Sequence, residues 1–178
     1  ARRGLCGDVF LVGRPHGPRI GDVQIETSVA RKELTVRTRL EGLVTDERYR
    51  LRLKVTGPGS EEAPREWDGP EFGAGELDAS GWVTRKETWR PARLWDLHTP
   101  ENLAELQVSL VTAGNGDAGR VLDTSWPERF GFREFGIVGR DFRLNGTRLF
   151  LSAVPLDNAQ VGAAWATYDA ARESFRRL

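Results

Sequence analysis

The segment from Gly114 to Gly119, GNGDAG, has the glycine spacing of a dinucleotide-binding fingerprint. That fingerprint holds a pyrophosphate only where a strand precedes it and a helix follows it, because the helix N-terminus supplies the binding amides. Here QVSLVT before the glycines and RVLDTSW after them both have the character of strands. We therefore interpret the segment as a hairpin loop, and we expect no nucleotide and no other cofactor.

Other residues that could do chemistry are scattered. His16 and His98 both lie beside proline-containing loop segments, and neither has the spaced partner of a zinc site. No nucleophile-elbow pattern supports a Ser-His-Asp triad. The carboxylates occupy outward strand positions or loops, not a pair in an apolar pocket. Asn145 fits a glycosylation sequon, but the same residues form a turn signal. We predict no catalytic residue and no metal site in this chain.

Composition excludes several classes of partner. The formal net charge of the 178 residues is zero, so no long-range field favours nucleic acid. No apolar run approaches the roughly 20 residues of a membrane span, so we expect no membrane contact. Cys6 is the only cysteine, which excludes an internal disulfide. The chain begins at Ala1 and contains no methionine, so we expect it to be a segment of a longer protein.

Apolar and polar residues alternate with a period of two along most of the chain from Gly21 to Thr112. Such alternation is typical of antiparallel strands with one buried and one wet face. The short strands are separated by Gly, Pro and Asp turns, which favours a two-sheet sandwich. The clearest strands are DVQIETSV, ELTVRTRL, YRLRLKVT and AELQVSLV.

The stretch from Gly57 to Gly81 is rich in Gly and Pro, and we predict loops there with one or two short edge strands. Four tryptophans flank or follow it. A Trp ring can stack on a sugar, but core or interdomain packing is the more common use. These residues are Trp67, Trp82, Trp89 and Trp95.

The pattern changes after Trp126. Asn145-Gly146 is the signal of a type I′ hairpin and predicts that a strand at 141–144 pairs with one at 147–151. WATYDAARESFRRL then has the pattern of a helix, with Thr167 or Asp169 at its start. A strand followed by a helix is the first half of a βαβ unit, which a sandwich does not need.

Several segments together resemble family 2 glycoside hydrolases. GLCGDVFLVGRP is similar to the closing strand of that family's jelly-roll domain, and IGDVQIETSVARKELTVRTRL to the first strands of its immunoglobulin-like middle domain. ARLWDLHTPENLAELQVSLV is similar to the family's LWSPE segment. The most specific match is FGFRE, after Asp123, followed by FRLNG, which resembles the exit from the middle domain and the start of the barrel.

The resemblance implies three regions. Residues 1–17 would close a preceding jelly roll, residues 18–126 would form the immunoglobulin-like antiparallel β-sandwich, and residues 127–178 would be a linker with the first strand and helix of a TIM barrel. The expected fold class is therefore all-β with a terminal hairpin and helix. Both catalytic glutamates of the family lie on later barrel strands, so we expect this chain to be inactive alone.

The barrel-start positions depart from the family pattern. Ser152 and Ala153 stand where the family has Arg-Gly, and Pro155 and Asp157 stand where it has Asn and His. A serine lacks the guanidinium fork that fixes a carboxylate, so the family's usual activity and substrate do not follow from these positions. In the longer protein, the resemblance places Asp157 and Asn158 at the sugar.

We therefore predict a non-catalytic structural segment of a bacterial glycoside hydrolase of carbohydrate metabolism. Its expected partners are the adjacent domains of the longer chain and a carbohydrate substrate bound by that chain. We also expect either association with a second copy through residues 141–154 or a helix at residues 167–178 that folds back over the hairpin. The alternative is a carbohydrate-binding or protein-interaction sandwich that uses exposed aromatics such as Trp67 and Trp82. An unrelated adhesion-type sandwich would leave the terminal helix without explanation.

Overall fold

A computed structural model describes residues 7–57, 63–114, 118–153 and 165–177. The chain divides into two compact units. The larger unit is Arg14–Leu149, and the smaller unit combines Ala1–Gly13 with Phe150–Leu178. The domain boundaries expected from the sequence stay a prediction.

The described residues of the larger unit form three sheets, and every strand pair in them is antiparallel. Sheet I has the strand order β1-β2-β5, and sheet II has the order β4-β3-β6-β7, with β8 also pairing with β6. The terminal sheet has the order β11-β10-β9. The strands are β1 (Arg19–Ser28), β2 (Glu33–Glu41), β3 (Tyr49–Thr56), β4 (Arg65–Asp68), β5 (Trp82–Thr88), β6 (Ala104–Thr112), β7 (Val121–Thr124), β8 (Glu128–Phe130), β9 (Phe135–Val138), β10 (Asp141–Leu144) and β11 (Thr147–Leu149).

Sheets I and II share one hydrophobic core. The alternation in β3 buries Leu51 and Leu53 completely, while Arg50 and Arg52 remain partly exposed on the opposite face. Inward residues of β2 and β6, such as Leu34 and Leu106, complete the core between the sheets. The expected all-β, immunoglobulin-like antiparallel sandwich is confirmed, because three strands pack on a sheet built around β3 and β6.

Two polar side chains make hydrogen bonds that hold the sandwich together, one between the two sheets and one in the loop before β3. The Asp123 carboxylate on β7 accepts a hydrogen bond from the Ile20 amide on β1 at 2.8 Å, which links the two sheets at their edge. The buried Tyr49 hydroxyl accepts from the Val44 amide at 2.9 Å and donates to the Glu47 carboxylate at 2.9 Å. Burial raises the pKa of Tyr49, and the two bonds hold the turn before β3.

Three local predictions can be compared with the described residues. Strand β5 carries Arg85 between Val83 and Glu87, so its sequence lacks the apolar alternation that would have revealed it as a strand. Strands β6 and β7 pair on either side of the glycine-rich segment, as expected of a hairpin, although residues 115–117 lie outside the described part. Strand β11 ends at Leu149 instead of residue 151, because β10 pairs with it no further than that residue.

The smaller unit contains helix α1 (Tyr168–Phe175), as the pattern predicted. Thr167 is its N-cap, and its hydroxyl accepts a hydrogen bond from the Ala170 amide. The Asp8 carboxylate accepts from the Tyr168 amide at 2.9 Å. Residues 9–12, Val-Phe-Leu-Val, form no strand and are largely exposed. In the part of the chain that the structure describes, no helix is long and apolar enough to cross a membrane.

Candidate functional site

The structure describes only some of the residues that the sequence analysis singled out. Asp157 and Asn158 lie outside the described residues, as does Pro155. Ser152 and Ala153 are exposed and belong to no strand or helix. His16 and His98 are both exposed in loops. Within the described ranges, no group of three or more His, Cys, Asp or Glu residues could hold a metal ion.

The FGFRE segment lies where the sandwich meets the terminal sheet. Phe130 and Phe132 are buried, and their rings pack edge-to-face at 5.7 Å in the core. Gly131 between them faces Trp95 so closely that an added Cβ would lie 2.6 Å from the Trp95 Cβ. The Arg133 guanidinium lies 5.0 Å from the centroid of the Trp95 ring. The segment therefore holds Trp95 in place through the close approach of the Gly131 backbone and through the Arg133 guanidinium over the indole ring.

Glu134 joins this segment to the turn between β1 and β2. Its Oε1 atom accepts hydrogen bonds from the Ser28 hydroxyl at 2.9 Å and from the Ala30 amide at 2.8 Å. The Ala30 amide, with the Ser28 hydroxyl, lowers the pKa of the Glu134 carboxyl below its ordinary value. The carboxylate is thus ionised at neutral pH, which strengthens both bonds.

Asn145 joins the terminal hairpin to Glu134 and to the loop at Trp95. It adopts a positive φ of 50°, as the first central residue of the type I′ turn requires. Its Oδ1 atom accepts from the Glu134 amide at 3.0 Å. Its Nδ2 atom donates to the Trp95 carbonyl and to the Asp96 carboxylate, both at 2.9 Å. We call Ser28, Ala30, Trp95, Asp96, Glu134 and Asn145 the junction network.

A groove of about 590 Å³ runs beside the junction network. Its lining includes Val23 and Ile25 of β1, Arg129 of β8 and Phe135 of β9. Its ionisable groups are of both signs, and they include Glu26, Glu128, Arg129, Arg133 and Glu134. The groove therefore has no single charge that would select an ionic ligand.

Six carboxyl groups of the described residues have a pKa below the ordinary value. Every carboxyl among them whose pKa is shifted has it lowered, by a hydrogen bond from a backbone amide, an arginine, a lysine or an asparagine side chain. A general acid needs the opposite, a pKa raised by an apolar setting. These groups therefore act in structural hydrogen bonds and ion pairs, and they are Glu33, Asp68, Glu76, Asp78, Asp96 and Glu134.

The tryptophans suggested as sugar platforms are engaged within the protein. Trp67 packs on Trp89 with ring centroids 5.9 Å apart, and the Arg65 guanidinium lies within 5.3 Å of both ring centroids. Trp82 lies on the outer face of sheet I with the Arg37 guanidinium 4.9 Å from its ring centroid. A guanidinium thus lies over a ring face that a sugar would need.

Sequence reasoning singled out Glu134 and Asn145 as parts of a family pattern, but not as partners. It missed Ser28, Ala30 and Asp96 entirely. The one available signal is the Asn-Gly turn, which predicts the backbone conformation of Asn145 but not the distant partners of its side chain. Asn102, in the segment that resembles the family's LWSPE motif, also has a structural role. Its side-chain amide donates to the Leu94 carbonyl at 2.9 Å.

Comparison with known proteins agrees with the resemblance. No family model matches the sequence, and no curated protein does. A putative β-galactosidase from Bacteroides fragilis is similar in structure, with a TM-score of 0.50 and 22% identity over 76% of this chain and 20% of that chain. Bifidobacterium dentium β-glucuronidase complexed with coumarin-3-O-glucuronide has a TM-score of 0.52 and 16% identity over 74% of this chain and 21% of that chain.

These comparisons define the fold. The chain resembles a segment of family 2 glycoside hydrolases, as the sequence motifs indicated, and it spans about a fifth of the length of the two structures. At 16% and 22% identity the likeness is one of fold. The class is therefore an immunoglobulin-like sandwich with a terminal hairpin, related in fold to a segment of these glycosidases.

Proposed function

We propose that this chain is a non-catalytic connecting segment of a longer glycosidase that hydrolyses O-glycosyl bonds. The sandwich holds the domains before and after it in a fixed relation. The residues that would hydrolyse a sugar belong to the domain that follows in the longer protein, and Asp157 and Asn158 would meet the sugar at its edge. The adjacent domains are the chain's main partners.

The junction network is the observation that supports this proposal. Glu134 and Asn145 attach the terminal hairpin to two separate loops of the sandwich, near Ser28 and near Trp95. A free-standing binding module has no use for such an attachment at its exit. A connector does, because the direction of the departing chain sets the position of the next domain.

Hydrolysis assays test the absence of catalysis. The purified chain, incubated with nitrophenyl galactosides, glucuronides and mannosides, should release no nitrophenol above a buffer control. Retaining hydrolysis needs two carboxyl groups about 5 Å apart, one of them with a raised pKa, whereas the shifted carboxyls here are all lowered. Turnover that persists through a second purification step would contradict the proposal.

Carbohydrate binding is the alternative that a second measurement addresses. Glycan arrays and calorimetry with the same sugars should give no saturable binding to the chain. An arginine lies over one face of the Trp67 ring and of the Trp82 ring, so a sugar on that face would have to displace Arg65 or Arg37. Saturable binding that is lost in Trp82→Ala would favour the binding module over the connector.

We also propose that copies of the chain associate through the terminal sheet when no adjacent domain covers it. Phe135, Ile137 and Val138 of β9 are more than half exposed. Exposed strand edges with apolar side chains favour association. The sequence pattern placed the apolar surface on residues 141–154. In the structure the exposed apolar side chains of the terminal sheet lie mainly on β9, and Leu144 on β10 is buried.

A further inference from the structure

Apolar packing contributes little to the attachment of the terminal sheet. Among its described strands only Leu144 is buried, at 5% exposure, whereas Ile137 is 66% exposed. Phe135 and Phe142 stack on each other, with ring centroids 6.0 Å apart. No strand of the terminal sheet pairs with a strand of sheets I or II in the described topology. Another kind of contact must therefore fix its orientation.

Asn145 makes every hydrogen bond that its side-chain amide protons allow. Its carbonyl oxygen accepts from the Glu134 amide, and its two amide protons go to the Trp95 carbonyl and the Asp96 carboxylate. The Asn145 amide also donates to the Glu134 carbonyl at 2.8 Å. The two bonds to Glu134 extend the pairing of β9 with β10, and the two bonds to Trp95 and Asp96 tie the hairpin turn to a loop of the sandwich at two points.

The partners of Asn145 are themselves held firmly. The Trp95 amide donates to the Phe132 carbonyl at 2.9 Å, and Gly131 leaves no room for Trp95 to shift toward it. The Thr27 hydroxyl donates to the Gly131 carbonyl at 3.2 Å, which ties the segment to β1. The Glu134 carboxylate is held by the Ser28 hydroxyl at the turn between β1 and β2. The network therefore connects the hairpin to strand β1 and to two loops of the sandwich.

We propose that Asn145 is a positioning residue, and that the junction network sets the orientation of the terminal sheet on the sandwich through hydrogen bonds instead of a shared core. In the connector proposed above, on which this inference rests, that orientation aims the departing chain at the following domain. Removing the Asn145 side chain should release the orientation while both sheets stay folded.

Residual dipolar couplings measured by NMR on the 178-residue chain test this inference. Asn145→Gly is the informative variant, because glycine readily adopts the positive φ of the turn while losing three side-chain bonds. Thr147→Ala is the matched control, because Thr147 is exposed two residues further on and outside the network. In the unaltered chain and in the control, one alignment tensor should fit the amides of β3, β6, β9 and β10 together.

In Asn145→Gly the β9 and β10 amides should need a second tensor of smaller magnitude, while β3 and β6 keep their couplings and their slow hydrogen exchange. Three results would overturn the inference. One tensor could still fit the variant, the terminal sheet could show random-coil shifts, or β3 and β6 could lose protection equally. Sugar hydrolysis by the chain would defeat the connector proposal without altering any of these couplings, so the two failures are distinguishable.

Discussion

The sandwich and the terminal sheet are both antiparallel, but different forces hold them in place. In the sandwich, Leu51 and Leu53 of β3 and Leu106 of β6 lie in sheet II and share one core with Leu34 of sheet I, and all four are fully buried. In the terminal sheet, Leu144 is buried and Ile137 is exposed, and Asn145 supplies the attachment. The hydrophobic effect is strong but non-directional, whereas hydrogen bonds are individually weak and directional. Stability thus comes from the first region, and orientation is set at the second.

Core truncation should produce the largest effect, and only in the sandwich. Leu53→Ala removes a fully buried side chain between the sheets and should lower the free energy of unfolding by about 2–5 kcal/mol. Urea denaturation followed by tryptophan fluorescence measures it. The control is Arg52→Ala on the opposite face, which loses a partly exposed ion pair with Asp68 and should cost at most about 1 kcal/mol. Equal losses in the two variants would mean that β3 does not have a buried and a wet face.

A methyl group at the boundary between the regions should have the next largest effect. In Gly131→Ala the new Cβ would lie 2.6 Å from the Trp95 Cβ, and close to the backbone it cannot rotate away. Overpacking of this kind costs about 1–3 kcal/mol. Gly136→Ala is the control, because a Cβ there would meet no atom within 4 Å, and its effect should stay within about 0.5 kcal/mol. Unfolding curves of both variants would show whether Trp95 is seated as closely as the structure indicates.

Acid should weaken the junction through Glu134. The Ala30 amide and the Ser28 hydroxyl lower the folded-state pKa of this carboxyl below its ordinary value of 4.5, so the unfolded chain binds the proton more readily. The resulting stabilisation is complete above the ordinary pKa and disappears as the pH falls through the folded one. Arg31 lowers the same pKa and acts in the same direction.

The measurement compares the unaltered chain with Glu134→Gln in urea from neutral pH to about pH 3. The difference in unfolding free energy between the two should shrink as the pH falls, because the variant has no carboxyl to protonate at that position. Other carboxyls with lowered pKa values titrate equally in both proteins and cancel. A difference that stays constant through this range would show that the ionised form of Glu134 contributes nothing.

Replacing an exposed residue of the terminal sheet should have the smallest effect on stability and a visible one on association. Ile137 is 66% exposed, so Ile137→Asp should change the unfolding free energy by no more than about 0.5 kcal/mol. If copies associate through this face, light scattering should detect a lower mean mass in the variant at the same concentration. Thr84→Asp, on the exposed side of β5, is the control and should leave the mass unchanged.

Sequence reasoning succeeded where local pattern and burial coincide. The alternation in β3 and β6 predicted which residues face the core, and the Asn-Gly pair predicted the hairpin, whose two central residues both have positive φ. It failed at β5, where Arg85 occupies an inward position and its guanidinium lies 5.4 Å from the centroid of the Phe72 ring. An edge strand can satisfy such a residue with a neighbouring ring, and no rule of periodicity anticipates that.

The sequence by itself determined the alternating strands, the tight turn at Asn145, the capped helix after Thr167 and a set of motifs that resemble one enzyme family. Each of these depends on residues close together in the chain, where the period of the backbone and the preferences of single residues decide the outcome. Only the tertiary structure decided that Glu134 would bond to Ser28, 106 positions away, and that Asn145 would bond to Trp95, 50 positions away. Those partners meet because the packing of sheets I and II brings the β1–β2 turn and the loop at Trp95 close to the segment that leaves the sandwich. A local sequence pattern cannot indicate contacts between residues so far apart in the chain.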